Sequence, residues 1–246
     1  MSEAEPLRLA RRVAALAGCS RREAEMYIEG GWVRVNGTVV DIPGAKVRHE
    51  TVTLDPQATL EPVADVTLLL HKPPGFGTEE GAGRPVQQLL VPANHLPTDR
   101  AGIRTVRRHF DQTCLTPLEP AASGLVVFSQ DWRIQRKLQE DAALIEHEVS
   151  VDVQGEVGPE ALHQLNRSPI IDGRAMLPAK VSISRQTDTL TGLRFAGKGH
   201  WPGRIAQMCD TAGLRILTMK RIRVGRIALA GLEPGQWRYL LPYERF

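Results

Sequence analysis

The alternation of apolar and polar residues predicts a chain of short helices and many strands. Apolar residues recur at helical spacing from Leu7 to Leu16, and Gly18 then supplies a stop. Strict alternation over 147–153 predicts a half-buried strand, and the continuous apolar run Leu125–Phe128 predicts a fully buried one. Many strands with a few interposed helices, and no regular βαβ rhythm, indicate an α+β fold with a mixed or antiparallel sheet.

The segment after Gly18 predicts a second helix followed by a hairpin. Ser20 and Glu23 have the spacing of a capping box, in which each side chain bonds the other residue's backbone amide. The Asn36-Gly37 pair, which ends an alternating run, is a strong signal for a hairpin turn. Two short helices with arginines at a helix N-terminus would present cations and free amides to a phosphate backbone.

Similar reasoning divides the rest of the chain into elements and domains. Predicted helices cover 86–90, 106–110, 132–140, 159–165 and 205–212. Predicted strands cover 66–71, 180–184, 189–195, 214–218, 222–229 and 237–241. Because residues 56–65 carry two prolines and no period, we interpret them as a linker between domains at 1–55 and 66–246.

Composition is that of a soluble globular protein with an uneven charge distribution. Of the 246 residues, 42% are apolar and 24% are charged, which leaves enough apolar side chains for a sizeable core. The net charge is only +3, but residues 201–246 carry eight Lys/Arg against three Asp/Glu. Such a local excess suits a polyanionic partner, although a solvated basic face would look the same.

Several classes of site are not indicated by the residues. Cys19, Cys114 and Cys209 are far apart and form no Cys-x-x-Cys pair, so we expect neither a disulfide framework nor a zinc site. The seven histidines are scattered, and the glycines at 81 and 83 lack the context of a phosphate loop. We therefore expect no metal and no cofactor. No apolar run approaches a membrane span and the N-terminus is acidic, so we expect a cytoplasmic location and no membrane contact.

The N-terminal segment resembles a known RNA-binding module. Arg8-Leu9, residues 18–25 and residues 31–37 are similar to the αL module of a small-subunit ribosomal protein and of RsuA-type pseudouridine synthases. The resemblance implies contact with structured RNA, ribosomal RNA in that family, mostly through shape and backbone. The candidate RNA-binding residues of this module are Arg8, Arg11, Arg12, Arg21, Arg22 and Arg34.

The rest of the chain resembles the synthases themselves. Ala122-Ser123-Gly124-Leu125 matches the end of their active-site pattern, Gly-Arg-Leu-Asp, two variable residues, then Ala/Thr-Ser-Gly-Leu, and places the nucleophilic Asp on Glu119. Residues 70–78 and 218–238 resemble two further family segments, and the resemblance is weakest over 79–116 and 154–200. It implies an α+β fold with a cleft that crosses the sheet. The further candidate RNA-binding residues are Lys72, Arg204, Lys220, Arg221 and Arg223.

Four positions where the family chemistry needs reactive groups carry other residues. Glu119 has one extra methylene, which moves the carboxylate by roughly 1 Å and can cost about a hundredfold in rate. Val149 stands where the resemblance places the aromatic ring that holds a flipped base, and valine has no ring face. The two arginines of the pattern fall on Pro117 and Ala206, and Arg204 points to a different helix face from residue 206.

Three hypotheses follow from a matching scaffold with altered chemistry. The first is an RNA-binding protein derived from a synthase, with its isomerase activity reduced or lost. The second is an active ribosomal RNA pseudouridine synthase that uses Glu119. The third is a synthase-derived protein that binds another protein and no RNA, which the intact first module and the basic C-terminal segment disfavour.

Overall fold

A computed structural model describes residues 5–79, 81–168, 170–171, 174–175, 177–199 and 202–246. These residues form two compact units. The first unit comprises the chain up to Asp65 together with Gly102–Asp111, and the second comprises Val66–Ala101 and Gln112–Phe246. The sequence-based boundaries kept residues 102–111 in the second domain. The first four residues of the predicted first domain lie outside the described residues.

Two short helices and five short strands build the first unit. The elements are β1 (Leu7–Arg8), α1 (Leu9–Ala17), α2 (Arg21–Glu29), β2 (Val33–Val35), β3 (Thr38–Val39), β4 (Lys46–Val47) and β5 (Val52–Leu54). Strand β2 pairs with both β3 and β5, and β1 pairs with β4, all antiparallel. The helices bury Leu9, Val13, Ala24 and Ile28 against the strands, which supplies the apolar burial that such short helices need for stability.

Local sequence signals of the first unit have the predicted geometry. Gly18 ends α1 in the left-handed conformation, with φ of 64°. The Ser20 amide donates to the Glu23 carboxylate at 2.7 Å, and the Glu23 amide donates to the Ser20 hydroxyl at 3.2 Å, so the capping box is present. The predicted helices and hairpin of this segment are therefore confirmed.

The segment 102–111 is anchored to the first unit mainly by Arg104. Its guanidinium lies 3.9 Å from the centroid of the Trp32 ring, a cation–π contact. It also donates to the Gly31 carbonyl at 3.1 Å and to the Asp55 carboxylate at 3.2 Å. A 3₁₀ helix, Arg107–Phe110, follows in the same segment. No periodicity marks this segment as part of the first unit, because its attachment depends on residues about 50 to 70 positions away.

Helices and a large mixed sheet make up the second unit. Its strands are β6 (Thr67–Lys72), β7 (Phe76–Gly77), β8 (Arg84–Pro85), β9 (Thr113–Cys114), β10 (Ser123–Ser129), β11 (Glu146–Gln154), β12 (Ile170–Ile171), β13 (Arg174–Ala175), β14 (Lys180–Gln186), β15 (Leu190–Lys198), β16 (Ile216–Val224), β17 (Ile227–Ala228) and β18 (Trp237–Tyr239). Its helices are α3 (Trp132–Gln139), α4 (Pro159–Leu165) and α5 (Arg204–Thr211), with 3₁₀ helices at Val86–Leu89, Pro92–Asn94 and Ala142–Leu144.

The sheet confirms the expected α+β class. Among the described residues its strand order is β14-β15-β11-β16-β10-β6-β18, with β17 beside β16 and β9 beside β10. The β10–β16 pair is parallel and the other pairs are antiparallel. One apolar cluster packs α5 against β11 and β15, and another packs α3 against β6 and β10.

The C-terminal strands differ from the prediction. Two strands were expected at 214–218 and 222–229, but β16 runs without interruption from Ile216 to Val224, and β17 follows a turn at Gly225. The charged residues at 220 and 221 fall between the two expected strands, and residue 223 falls within the second. They are instead accommodated within a central strand, because carbonyls and carboxylates of neighbouring strands pair with the charged groups at 221 and 223.

Candidate active site

Glu119 lies on the loop that joins β9 to β10. Thr78 holds this loop from one side, since its hydroxyl accepts from the Leu118 amide at 3.0 Å and lies 3.1 Å from the Leu118 carbonyl, to which it donates. The Gly75 amide donates to the Pro120 carbonyl at 2.8 Å. The carboxylate of Glu119 is thus carried by a loop that is fixed at both neighbouring residues, as a reactive or structural carboxylate requires.

Lys72 lies beneath this loop with no exposed surface. Its ammonium donates to the carbonyls of Ala122 at 2.6 Å and Phe76 at 2.7 Å. Burial lowers the pKa of Lys72 to about 8, against the attraction of the nearby Glu119 carboxylate. The buried ammonium therefore holds the loop through these carbonyls, and the expected contact of Lys72 with RNA stays a prediction.

A close approach of β10 and β16 brings Arg221 to the same loop. Gly124 pairs with Arg221, and a β-carbon at Gly124 would lie 2.2 Å from the Arg221 carbonyl oxygen. The φ of Gly124 is 121°, which an L side chain rarely adopts, so glycine meets both requirements at this position. The Ser-Gly of the sequence pattern therefore serves strand packing, and it sets the place of the arginine.

The Arg221 guanidinium is bound by carbonyls of the Glu119 loop and of β10. Nε donates to the Leu125 carbonyl at 2.8 Å and Nη1 to the Pro117 carbonyl at 3.1 Å, and Nη2 donates to the carbonyl and hydroxyl of Thr116. Burial lowers the pKa of Arg221 to about 10, and the attraction of Cys114 and Glu119 opposes this shift. Only 4% of Arg221 is exposed, and its expected contact with RNA stays a prediction.

Glu119 borders a very small cavity, which we call the slot. The slot is lined by Pro117, Leu118, Glu119, His147, Val149, Pro202, Ile205, Met219 and Arg221, and it encloses about 20 Å³. That volume holds about one water molecule, whereas ligand pockets usually enclose about 300–1,000 Å³. Val149, at the position expected to stack a base, lies in the apolar core beside the slot.

The Glu119 carboxylate is engaged by a helix N-terminus. It accepts a hydrogen bond from the Gly203 amide, and Gly203 directly precedes α5 with φ of 70°. A carboxylate at this end of a helix is stabilised by the amides and by the helix dipole. Residues 200 and 201, which precede this turn, lie outside the described residues.

Arg204 is the basic residue at the start of α5. Arg204 is buried, donates to the Leu177 carbonyl, and has a pKa lowered by burial. Its expected contact with RNA stays a prediction. Ala206, at the position of the lost arginine, is exposed to solvent. Arg221 and Lys72, both predicted from the sequence to contact RNA, lie close enough to Glu119 to be attracted by its carboxylate.

The remaining candidate RNA-binding residues lie at surfaces. In the second unit Lys220 is exposed, while Arg223 is half-buried and pairs with Glu146 and, at 2.9 Å, with Glu148. In the first unit the exposed candidates are Arg8, Arg11, Arg12, Arg21, Arg22 and Arg34. Arg21 pairs with Glu25 at 2.9 Å, an exposed i,i+4 pair of small energetic value.

Metal-binding groups and membrane-spanning helices are absent from the described part of the chain. No group of three or more His, Cys, Asp or Glu side chains there is arranged to hold a metal ion. Nor does any helix in that part have the length and apolar character needed to cross a bilayer.

Comparisons with known proteins match a domain family at the N-terminus and pseudouridine synthases over nearly the whole chain. The S4 domain family model matches residues 7–52. An uncharacterized RNA pseudouridine synthase of Aquifex aeolicus (strain VF5) is 26% identical, over 97% of this chain and 94% of the relative. Ribosomal large subunit pseudouridine synthase B of Bacillus subtilis (strain 168) is 26% identical, over 96% of this chain and 93% of the relative. A crystal structure of a pseudouridylate synthase has a similar fold, with a TM-score of 0.57 at 18% identity over 95% of this chain and 96% of that one.

Proposed function

We propose that this chain, a member of the RsuA-type pseudouridine synthase family with an N-terminal S4 domain, binds structured RNA and has lost most or all uridine isomerisation. The first unit is the RNA-binding part of this proposal. Ribosomal RNA is the proposed partner, because relatives over nearly the full chain are named for the large ribosomal subunit.

The exposed arginines of the first unit support RNA binding. Arg8, Arg11 and Arg12 lie on or beside α1, and Arg21 and Arg22 begin α2. Five cations on two adjacent short helices suit phosphate groups, and contacts of this kind weaken steeply as salt displaces them. The Glu25 pair with Arg21 is weak enough for a phosphate to replace it.

The small volume of the slot and the hydrogen bond made by its carboxylate support the proposal that isomerisation is lost. Pseudouridine formation requires a base to leave its stack and enter a pocket beside the nucleophile. The slot encloses about 20 Å³, and its carboxylate already accepts the Gly203 amide. Val149 offers no ring face to hold a base. A base would therefore have to displace α5 or its preceding residues before any chemistry could begin.

The groups that line the slot favour a second candidate function, that of an active synthase. Glu119 still lines the slot together with Arg221 and His147, so an acid, a guanidinium and an imidazole ring converge there. An active synthase that opens the slot on binding RNA would use Glu119 as its nucleophile. The reactive groups of such an enzyme would differ from the family pattern at four positions.

Mapping of pseudouridine separates these functions. Ribosomal RNA from cells that lack the protein is incubated with an excess of the purified chain, and pseudouridine is mapped by carbodiimide modification and primer extension. We expect no new site-specific pseudouridine, while filter binding to the same RNA is strong at low salt and weak at high salt. The Bacillus subtilis relative, treated in parallel, serves as the assay control.

Two results would contradict the proposal in different ways. Site-specific conversion by the natural chain that disappears in Glu119→Ala would establish the active synthase instead. Failure to bind RNA at any salt concentration would leave the third hypothesis, a partner that is a protein.

A further inference from the structure

A second cavity lies next to the slot, on the other side of Pro117 and His147. Both residues line the two cavities, so the second one, here called the outer cavity, belongs to the same part of the second unit. Its other walls include Leu138, Gln139 and Ile145, from the end of α3 and the segment before β11. It encloses about 300 Å³, against about 20 Å³ for the slot.

We infer that the outer cavity binds one unpaired nucleobase of the RNA, in place of the closed slot; this inference rests on the proposed RNA-binding function. The volume reaches the lower end of the usual range for small-molecule sites. The base would then be bound where the Glu119 loop meets the end of α3, and not beside Val149.

The walls have the chemistry that a nucleobase requires. Leu115, Leu138 and Ile145 are buried side chains that would contact the faces of a planar ring. His147 contributes an aromatic ring, and aromatic and histidine rings are common stacking partners for splayed-out bases. The His147 ring borders both cavities, whereas the aliphatic Val149 lines the slot and not the outer cavity.

Polar groups are present where the edge of a base would lie. Gln139 is exposed at the rim, and its amide can donate and accept at once, as glutamine does when it reads an adenine edge. The Thr116 hydroxyl accepts from the Val127 amide at 2.9 Å and from Arg221 at 3.2 Å, so its own proton remains for an acceptor on a ligand.

Cross-linking of RNA to the full chain tests this inference. Ribosomal RNA transcripts that contain 4-thiouridine are bound to the protein, irradiated and digested, and nucleotide adducts are located by mass spectrometry. We expect adducts within residues 138–147. The variant Ala142→Phe fills the cavity from its wall, and we expect it to lower adduct yield and RNA affinity roughly tenfold, the scale of one lost base contact.

A neighbouring alanine provides the matched control. Ala143 is exposed and does not line the outer cavity, so Ala143→Phe should keep both adducts and affinity. Gln139→Ala, at an exposed position, repeats the test without adding bulk, and thermal unfolding verifies that each variant is folded. The salt dependence of binding should be unchanged in Ala142→Phe and Gln139→Ala, because a base contact releases no counterions.

The outcomes distinguish this inference from the proposed function. RNA binding with adducts at the slot residues, or only in the first unit, overturns the outer cavity as a base site and leaves RNA binding intact. Unchanged affinity and adducts in folded Ala142→Phe and Gln139→Ala have the same consequence. A natural chain that binds no RNA overturns both.

Discussion

The carboxylate of Glu119 accepts a hydrogen bond from the backbone amide of Gly203, the residue that directly precedes helix α5. This bond joins a loop and a helix that are 84 residues apart in the chain. It gives the extra methylene of glutamate, relative to aspartate, a structural use, because the longer side chain reaches the helix N-terminus. A carboxylate in this position is a cap for α5 in the folded chain.

Removal of this cap should destabilise the second unit modestly. We expect Glu119→Ala to lower the free energy of unfolding by about 1 kcal/mol, the usual cost of a lost N-terminal acceptor. Glu119→Gln should lose less, since its amide oxygen still accepts. Urea denaturation measures both, with Glu156→Ala at an exposed glutamate as the control. If Glu119→Ala were more stable than the natural chain, the carboxylate would not be a stabilising cap. Such a result is typical of a catalytic group that lowers the stability of the fold.

Loss of the Arg221 guanidinium should be far more costly. In Arg221→Met the carbonyls of Thr116, Pro117 and Leu125 lose a charged donor inside the protein. Because buried groups left without partners each cost about 1–3 kcal/mol, we expect a loss of at least about 3 kcal/mol in the free energy of unfolding. Arg226→Met, at an exposed arginine, should change it by less than about 0.5 kcal/mol. Equal effects of the two variants would mean that Arg221 does not hold the loop.

Lys72 should give the second unit a specific dependence on alkaline pH. Its pKa is lowered to about 8 from the ordinary 10.5, so between these values the unfolded chain binds more protons than the folded one. The free energy of unfolding therefore rises with pH across this window, and the cost of burying the charged form applies in full below it.

Comparison with Lys72→Met isolates this contribution. From about pH 8 to 10.5 the natural chain should gain up to about 3 kcal/mol relative to the variant. Denaturation at several pH values measures the difference, and Lys180→Met at an exposed lysine is the control. A difference that stays constant with pH would show that the ammonium of Lys72 is not destabilised by burial.

The arginines of α2 should contribute to RNA affinity through phosphate contacts. We expect Arg21→Gln and Arg22→Gln each to reduce the slope of log K against log salt concentration by about 1. Arg136→Gln, at an exposed arginine of α3 that pairs with Glu140, should leave the slope as it is. Filter binding at several salt concentrations measures these slopes. Equal slopes in all three variants would show that Arg21 and Arg22 make no phosphate contacts in the RNA complex.

Local signals in the sequence determined the elements that depend on near neighbours. The Ser20–Glu23 capping box and the Gly18 stop are interactions over three to five residues, and both have the expected geometry. The apolar run at 125–128 identified the buried strand β10 because a continuous apolar stretch can only be stable inside the protein. The α+β class and the family resemblance were readable for the same reason, since both rest on patterns along the chain.

Tertiary structure alone decided which charges are inside and what they contact. Lys72 and Arg221 read as surface cations, because a buried cation is stable only where distant carbonyls surround it. The Lys72 ammonium binds the nearby Phe76 carbonyl and that of Ala122, 50 positions away, while the Arg221 guanidinium binds carbonyls 96 to 105 positions away. No local pattern records the distant partners. The same holds for Glu119, whose residue type showed that the family chemistry was altered, while only the approach of Gly203 from 84 residues away gave its carboxylate a partner.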